Sequence, residues 1–317
     1  MFVVVDGNHT LHRILRVSYL TSGDKGVGEK FGGVAGFLKS LQWLLRDSAP
    51  KRCIVVWDSG LSERRLSLYP DYKGRKNRKA LDEESEFYLK NFSLQRSYLN
   101  KILPLLRVNV VELPRAEGDD LIYECVRVGR SAGFGKCVIV SEDKDFMQLI
   151  DSDVSLYRPI KRDYVNESNF FEVAGVCKDS FLLYRAICGD ASDKIYGVKG
   201  VGDKTAKRAL EESSALDPPS LCSWSAGQKD SRIKKIAAEE SILDRNLKLM
   251  RLGLELFDED VLLSLGTSLR SELSSGFEDA LGVLVDMDFR SITRQYDSWI
   301  TPFVRIGAKR KSSNRRN

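Results

Sequence analysis

Short apolar runs alternate with amphipathic stretches through the first half of the chain, and each run ends in acidic residues. Phe2 to Val5 is a β-branched run closed by Asp-Gly-Asn, the profile of a buried strand whose polar residues emerge at its C-terminal end. Residues 33–46, GVAGFLKSLQWLLR, have helical spacing, and Cys53 to Trp57 is a second buried strand, ending at Asp58. The order continues with a helix from Leu99 to Leu106, a strand from Val108 to Glu112, a helix from Asp119 to Gly129, and a strand from Lys136 to Val140 that runs into SEDKD. Strand, helix, strand in repetition predicts a parallel α/β sheet. In open sheets of that kind ligands bind at the C-terminal strand edge.

Between Ser62 and Lys90 the pattern changes to Arg64, Arg65, Lys73, Arg75, Lys76, Arg78 and Lys79, followed by Asp82, Glu83, Glu84 and Glu86. That is too charged for core and predicts an exposed loop or helical excursion. From about Lys178 no further strands are expected. The remainder reads as mainly helical, interrupted by a Ser/Pro-rich connection at 213–227 and closed by a tail with Lys309, Arg310, Lys311, Arg315 and Arg316. With 317 residues, 42% of them hydrophobic, one large domain or one domain with an appended lobe is expected.

Composition removes several kinds of chemistry. The six cysteines form no CxxC pair and mostly sit in apolar runs, so buried free thiols are expected. His9 and His12 are the only histidines, which argues against zinc sites and histidine-based triads. Any metal would have to be held by oxygen. No stretch is apolar enough to span a bilayer, and MFVVVDGNHT lacks the basic region of a secretion signal, so a cytoplasmic location is expected. The net charge of +5 says little, because a balanced total can hide local segregation.

Segregation is what the acidic residues show. Asp6, Asp58, Glu117, Asp119, Asp120, Asp143, Asp145, Asp190 and Asp193 lie at or just beyond successive strand ends or in GDASD. Taken singly, each pair reads as a solvated turn or a helix cap. Together on one rim they would repel and raise one another's pKa values, a cost that divalent cations remove. Oxygen-only ligands favour Mg2+ or Mn2+. Two such ions roughly 4 Å apart would clamp the attacking and leaving oxygens of a phosphate displacement.

Next to Asp193 comes GVKGVGDKTAKRAL. Gly197, Gly200 and Gly202 permit a tight turn with positive φ, and a helix follows from Thr205 to Leu210. Amides at such a turn can bind a phosphate, with Lys199, Lys204, Lys207 and Arg208 adding charge. Such an element reads backbone and not bases. By itself a glycine-rich turn more often packs two helices together.

In order, VVVDGN, VVWDSG, LYPDYKGRK, AEGDD, SEDKDFMQL and GDASDKIYGVKGVGDKTA resemble the structure-specific 5′ nucleases, a family that includes flap endonucleases, the 5′-nuclease domain of bacterial DNA polymerase I and stand-alone phage enzymes, among them a ribonuclease H that removes RNA primers. The resemblance covers roughly residues 1–210, and RNLKLMRL at 245–252 looks like a further family element. It implies a PIN-like parallel-sheet core over residues 1–177 with a helical arch at about 62–98, a helical lobe over 178–300 with a helix-three-turn-helix at about 183–212, and a disordered basic tail over 301–317. It implies that Asp6, Asp58, Glu117 and Asp119 serve a first metal, with Asp120 close by, and Asp143, Asp145, Asp190 and Asp193 a second, Asp145 and Asp193 being catalytic. By motif position, Lys73 looks like the arch lysine at the scissile phosphate, Arg64, Arg75 and Arg78 like phosphate ligands, and Tyr72 like a base-stacking residue. Lys199, Gly200, Gly202, Lys204, Thr205 and Lys207 would grip duplex DNA, and the turn would hold a monovalent cation such as K+ through backbone oxygens.

The chain departs from the family pattern in places. Gly118 replaces the usual alanine, an expected cost of roughly 1 kcal/mol in a helix. Glu142 stands where a small residue is commoner and suggests an additional acid around the site. No clamp-binding box of the form QxxLxxFF is visible; QYDSWITPF at 295–303 lacks its apolar fourth position. The expected protein is a monomeric Mg2+-dependent nuclease acting on DNA with a 5′ flap or an RNA–DNA junction, with a single-strand-binding protein as a candidate partner of the tail. The competing readings are a PIN-type ribonuclease, against which the basic hairpin argues, and a non-catalytic junction-binding protein, which would be expected to have lost some of the acids.

Overall fold

The apolar runs assemble one six-stranded sheet in the computed structural model, which describes residues 1–21, 31–77, 83–254 and 257–308. Its strands are β1 (Phe2–Asp6), β2 (Cys53–Val56), β3 (Asn109–Val111), β4 (Cys137–Val140), β5 (Val154–Arg158) and β6 (Asp163–Val165), in the order β3-β2-β1-β4-β5-β6. All neighbours run parallel except β5 and β6. From β1 the sheet grows through β2 on one side and β4 on the other, so the C-terminal ends of β1 and β4 flank a topological switch point, where open α/β sheets leave a crevice. β5 and β6 were not foreseen, because VSLYR alternates in polarity and DYV is short.

Both faces of the sheet are buried, which is why its central strands are continuously apolar. Phe2, Val4 and Ile139 point to one face, Val3, Val5, Val138 and Val140 to the other. The first-half helices are α1 (Gly7–Thr21), α2 (Gly32–Leu45), α3 (Glu63–Leu68), α4 (Glu83–Leu105) and α5 (Gly118–Ser131). The second half contributes α6 (Phe170–Ala174), α7 (Phe181–Cys188), the two-residue strands β7 (Gly189–Asp190) and β8 (Ile195–Tyr196), α8 (Asp203–Ser213), α9 (Pro218–Ala226), α10 (Ser231–Lys234), α11 (Glu240–Met250) and α12 (Glu259–Arg270). It closes with α13 (Phe277–Asp286), α14 (Arg290–Thr293) and α15 (Tyr296–Val304). Among the described residues no helix is long and apolar enough to cross a membrane.

The expected mainly helical C-terminal lobe is present, and its helices pack on both faces of the sheet: α7 to α12 join the Phe2/Val4 face with α5, while α13 to α15 join α1, α2 and α4 on the other. Two details differ from expectation. The tail does not begin at 301, since Phe303 and Ile306 are fully buried against that second face; residues 309–317 lie outside the described residues. The Ser/Pro-rich stretch at 213–227 contains a helix, because Pro218 sits at its first turn and the Asp217 side chain accepts from Ser220 N at 2.8 Å. Cys53, Cys125, Cys137 and Cys222 are buried free thiols, as expected, whereas Cys177 is exposed.

Candidate active site

At the switch point the acidic residues converge. Asp6 closes β1, and its two oxygens accept from His9 N and from the Ser141 hydroxyl beyond β4, each at 2.9 Å. Asp143 and Asp145 follow Ser141, with Asp143 Oδ1 accepting from Asp145 N at 2.8 Å to start a 3-10 turn over Lys144–Leu149. Asp58 follows β2 and accepts from Gly60 N at 3.2 Å. Glu117 is the N-cap of α5, whose first turn carries Asp119 and Asp120 at the positive end of the helix dipole. Gly118 is therefore the first helical residue and not an interior one, so the interior glycine penalty does not apply; a Cβ there would make an ordinary 3.5 Å contact with Asp58. Asp190 and Asp193 enter from the β7–β8 turn below α7.

Cations of the protein hold part of this group. Glu117 accepts from Ser62 N at 2.9 Å, from the Tyr72 hydroxyl at 2.9 Å and from Lys73 Nζ at 2.8 Å. Burial alone would raise its pKa, but Lys73 and Arg65 outweigh it and hold it low. Asp120 is bound by both ends of the Arg65 guanidinium, at 2.5 and 2.9 Å, in a site where both side chains are almost fully buried. It is engaged by this ion pair. Arg185, on α7, spans Asp145 at 2.6 Å and Asp190 at 2.7 Å.

The remaining acids are less well compensated. Burial raises Asp6, Asp58 and Asp193, and Asp119 rises well above the usual carboxylate range through burial and the charges of Asp143, Asp6 and Asp145. Asp145 is pushed up to about 7 by burial and Asp143 despite Arg185. Among the described residues no three acidic, histidine or cysteine side chains close on one point, and Lys73 and Arg185 reach into the group. The donor set still suits a hard divalent cation: carboxylate oxygens only, several of them buried and mutually repelling. Asp6, Asp58 and Asp119, whose carboxylate oxygens no cation among the described residues bonds, fit it best.

The arch foot is latched onto this group. α3 is capped by Ser62, which accepts from Arg65 N at 3.0 Å. Arg64 and Arg65 then bind the carbonyls of Lys248 and Leu249 at the end of α11, tying RNLKLMRL to the foot. Tyr72 to Gly74 turns back through left-handed conformations at Lys73 and Gly74, and Lys73 N donates to Asp193 O at 2.9 Å. Tyr72 is buried on Glu117 and offers no open ring for a base in this arrangement. The Arg75 side chain and Arg78 lie outside what the structure describes. Glu142 turns away to accept from Ile160 N, so it adds nothing to the acidic group.

Beyond the acids, α7 and α8 are joined by the turn at 189–202, with Lys199, Gly200, Gly202 and Lys204 exposed. Of the three glycines expected at positive φ, only Gly200 adopts it (φ +82); Gly202 is the extended N-cap of α8, and Gly197 is required because a Cβ there would lie 2.2 Å from Ile187 O. Thr205 is half-buried with its amide in the first turn of α8, and Lys207 pairs with Asp203 at 3.1 Å. Arg65 and Arg185 were the site residues missed from the sequence. The one available signal was an arginine inside the apolar helix FLLYRAIC, five residues before Asp190.

Comparison with known proteins decides the family. A model of the 5′-3′ exonuclease N-terminal resolvase-like domain matches residues 1–177. The chain belongs to the 5′-3′ exonuclease family. It is 31% identical to DNA polymerase I of Rhizobium leguminosarum over 84% of its own length but only 26% of that protein, so it spans about a quarter of the polymerase. It is 28% identical to a 5′-3′ exonuclease of Aquifex aeolicus, with 81% of this chain and 85% of that one aligned. The exonuclease fold extends over nearly the whole chain: the T5 D15 protein co-crystallised with metal ions superposes with a TM-score of 0.64 over 97% of this chain and 99% of that one, at 21% identity.

Proposed function

We propose that this exonuclease-family protein is a structure-specific 5′ nuclease that hydrolyses phosphodiesters near single-strand/duplex junctions in DNA, including RNA primer junctions during replication or repair. The observation that carries the reading is the convergence of acids from β1, β2, β4, α5 and the β7–β8 turn at the switch point, beside the latched Lys73. Asp6, Asp58 and Asp119 on one side, and Asp143, Asp145, Asp190 and Asp193 on the other, would hold divalent ions, Mg2+ or Mn2+, with Glu117 at the arch side. When bound, such ions supply neutralisation of the acids, polarisation of the phosphate and a lowered water pKa.

The chain's own groups do the positioning. Lys73, a quarter exposed, presents its ammonium at the edge of the acids, where it can orient a phosphate oxygen. Glu117 and Asp193 raise its pKa against the opposing effect of burial, so it stays charged at neutral pH. Lys199, Lys204 and the start of α8, whose N-cap makes no side-chain hydrogen bond, suit a duplex backbone a few phosphates away. The helix-three-turn-helix role of α7 and α8, and a K+ ion at Gly197–Gly202, belong to the same proposal. Cleavage of a 5′-labelled flap duplex with and without Mg2+ tests it: wild type should cut near the junction only with the metal, and Asp145→Asn should not cut. Tight flap binding by wild type with no cutting in Mg2+ would overturn it.

A further inference from the structure

Beside the acidic group, a separate pocket of about 270 Å³ opens between α1, α2 and the ends of β1, β4 and β5. Val5 and Val140, in its floor, directly precede Asp6 and Ser141, so it adjoins the catalytic rim without sharing the acids. Two polar groups facing it are unsatisfied. Among the described residues, the hydroxyl of Thr10, which is 5% exposed, has no hydrogen-bond partner; nor has Arg13 Nε, and the guanidinium makes a long 3.4 Å contact to the Ser40 hydroxyl. Buried donors without partners are rare in native proteins and point to an unseen occupant. Arg162 enters the same pocket, and its charge and that of Arg13 both act on the buried Tyr157 phenol. Trp43 also lines the pocket; it stacks on Tyr157 at 6.2 Å between ring centroids yet remains 51% exposed.

Two guanidinium groups, two hydroxyls and an open indole lining one pocket match an anion joined to a flat ring. The volume admits one such unit and no duplex. We propose that this pocket binds a single nucleotide unit, its phosphate on Arg13 and Arg162 and its base against Trp43. Position favours a nucleotide over an acidic peptide carrying an aromatic residue: the pocket continues the strand edge at which nucleic acid would be cut, and Glu142 lies close enough to Arg13 to repel a segment with several acids. The choice of ligand rests on the proposed nuclease reading, but binding here needs no cleavage and no metal, so the failure of one is distinguishable from the failure of the other.

The test uses the full chain in EDTA, titrated with a nucleoside 5′-monophosphate while tryptophan fluorescence and calorimetric heat are followed. Saturable binding is expected, with the fluorescence change lost in Trp43→Phe. Arg13→Gln and Arg162→Gln should each weaken binding at least tenfold, and the isosteric Thr10→Val several-fold. Arg162 is exposed, so its variant keeps the test valid if Arg13→Gln does not fold. A short single-stranded oligonucleotide, measured in parallel, separates the sources. Binding of the free monophosphate assigns the pocket to a released or free nucleotide; arginine-dependent binding of the oligonucleotide alone assigns it to a unit of a strand. Absence of arginine-dependent binding by either probe overturns the proposal. So does a saturable Trp43 fluorescence change on adding an acidic peptide ending in an aromatic residue when neither nucleotide probe binds.

Discussion

On the arch side of the acidic group, Glu117 and Asp120 are enclosed by Arg65, Lys73, Tyr72 and Ser62; on the strand side, Asp6 and Asp119 face other acids. All four are carboxylates, yet Lys73 and Arg65 hold the Glu117 pKa low, whereas burial and neighbouring acids push Asp6 and Asp119 toward protonation. A buried ion pair with its hydrogen bonds complete is a finished structural unit. Buried acids that repel one another hold free energy that a bound cation releases. The difference separates carboxylates that build the site from those that are open to a ligand, and motif position alone grouped them together.

The largest test of that separation is Arg65→Met. It would leave Asp120 and Glu117 buried without their guanidinium, with an expected loss of about 3–5 kcal/mol of folding stability in denaturant melts. Asp119→Asn should act in the opposite direction, raising the melting temperature of the metal-free protein because one repelling charge is gone. Mg2+ at about 100 times its Kd should stabilise wild type by about 2.7 kcal/mol. That gain should largely vanish in Asp119→Asn; a metal-free variant less stable than wild type would mean that the strand-side acids do not repel. Lys73→Met removes one of several groups on Glu117, so a smaller stability loss of about 1.5 kcal/mol is expected. If Lys73 orients the phosphate, flap cleavage by the same variant should fall by about a hundredfold. A stability loss equal to that of Arg65→Met would erase the distinction between the buried anchor and the partly exposed latch.

The acids and their strands were legible because each buried run is apolar on both faces and its polar residues can emerge only at an end. The compensating cations were not. Arg65 meets Asp120 across 55 residues, and nothing local distinguishes it from Arg64, whose guanidinium binds a carbonyl on the surface. The split of the C-terminal helices between two faces was equally hidden, because an amphipathic stripe shows that a helix packs but not against which layer. β5 escaped notice for a related reason: at the side of the sheet its outward positions, Ser155 and Arg158, are partly solvated, and the continuous apolar run that marked β1 and β4 is broken. A proline that begins α9 read as an interruption, although at a first helical turn it is favourable.

His12 shows a third way of burying a titratable group, neither paired with an opposite charge nor left open to a cation. It projects from α1, the helix that follows Asp6, and stacks on Phe92 of α4 at 4.2 Å, with Nδ1 2.6 Å from the Tyr88 hydroxyl. The ring thus joins the rim helix to the limb of the arch. Burial first, then the charges of Arg16 and His9, lowers its pKa to about 4, against about 6.5 in an unfolded chain. Because the folded protein disfavours the protonated ring, the stabilisation is complete above pH 6.5 and is lost as pH falls from about 6.5 toward 4. The ring is only partly enclosed, so solvent screening limits the effect to at most about 1 kcal/mol. The strand-side acids give the opposite slope in metal-free protein, which makes the wild-type profile alone ambiguous. Comparing wild type with His12→Phe removes that background: the acids contribute equally to both, and the stability advantage of wild type should shrink between pH 7 and pH 5. An advantage that stays constant over that range would show that His12 is not held neutral, and the joint between rim and arch would then have to be sought in the Phe92 and Tyr88 packing alone.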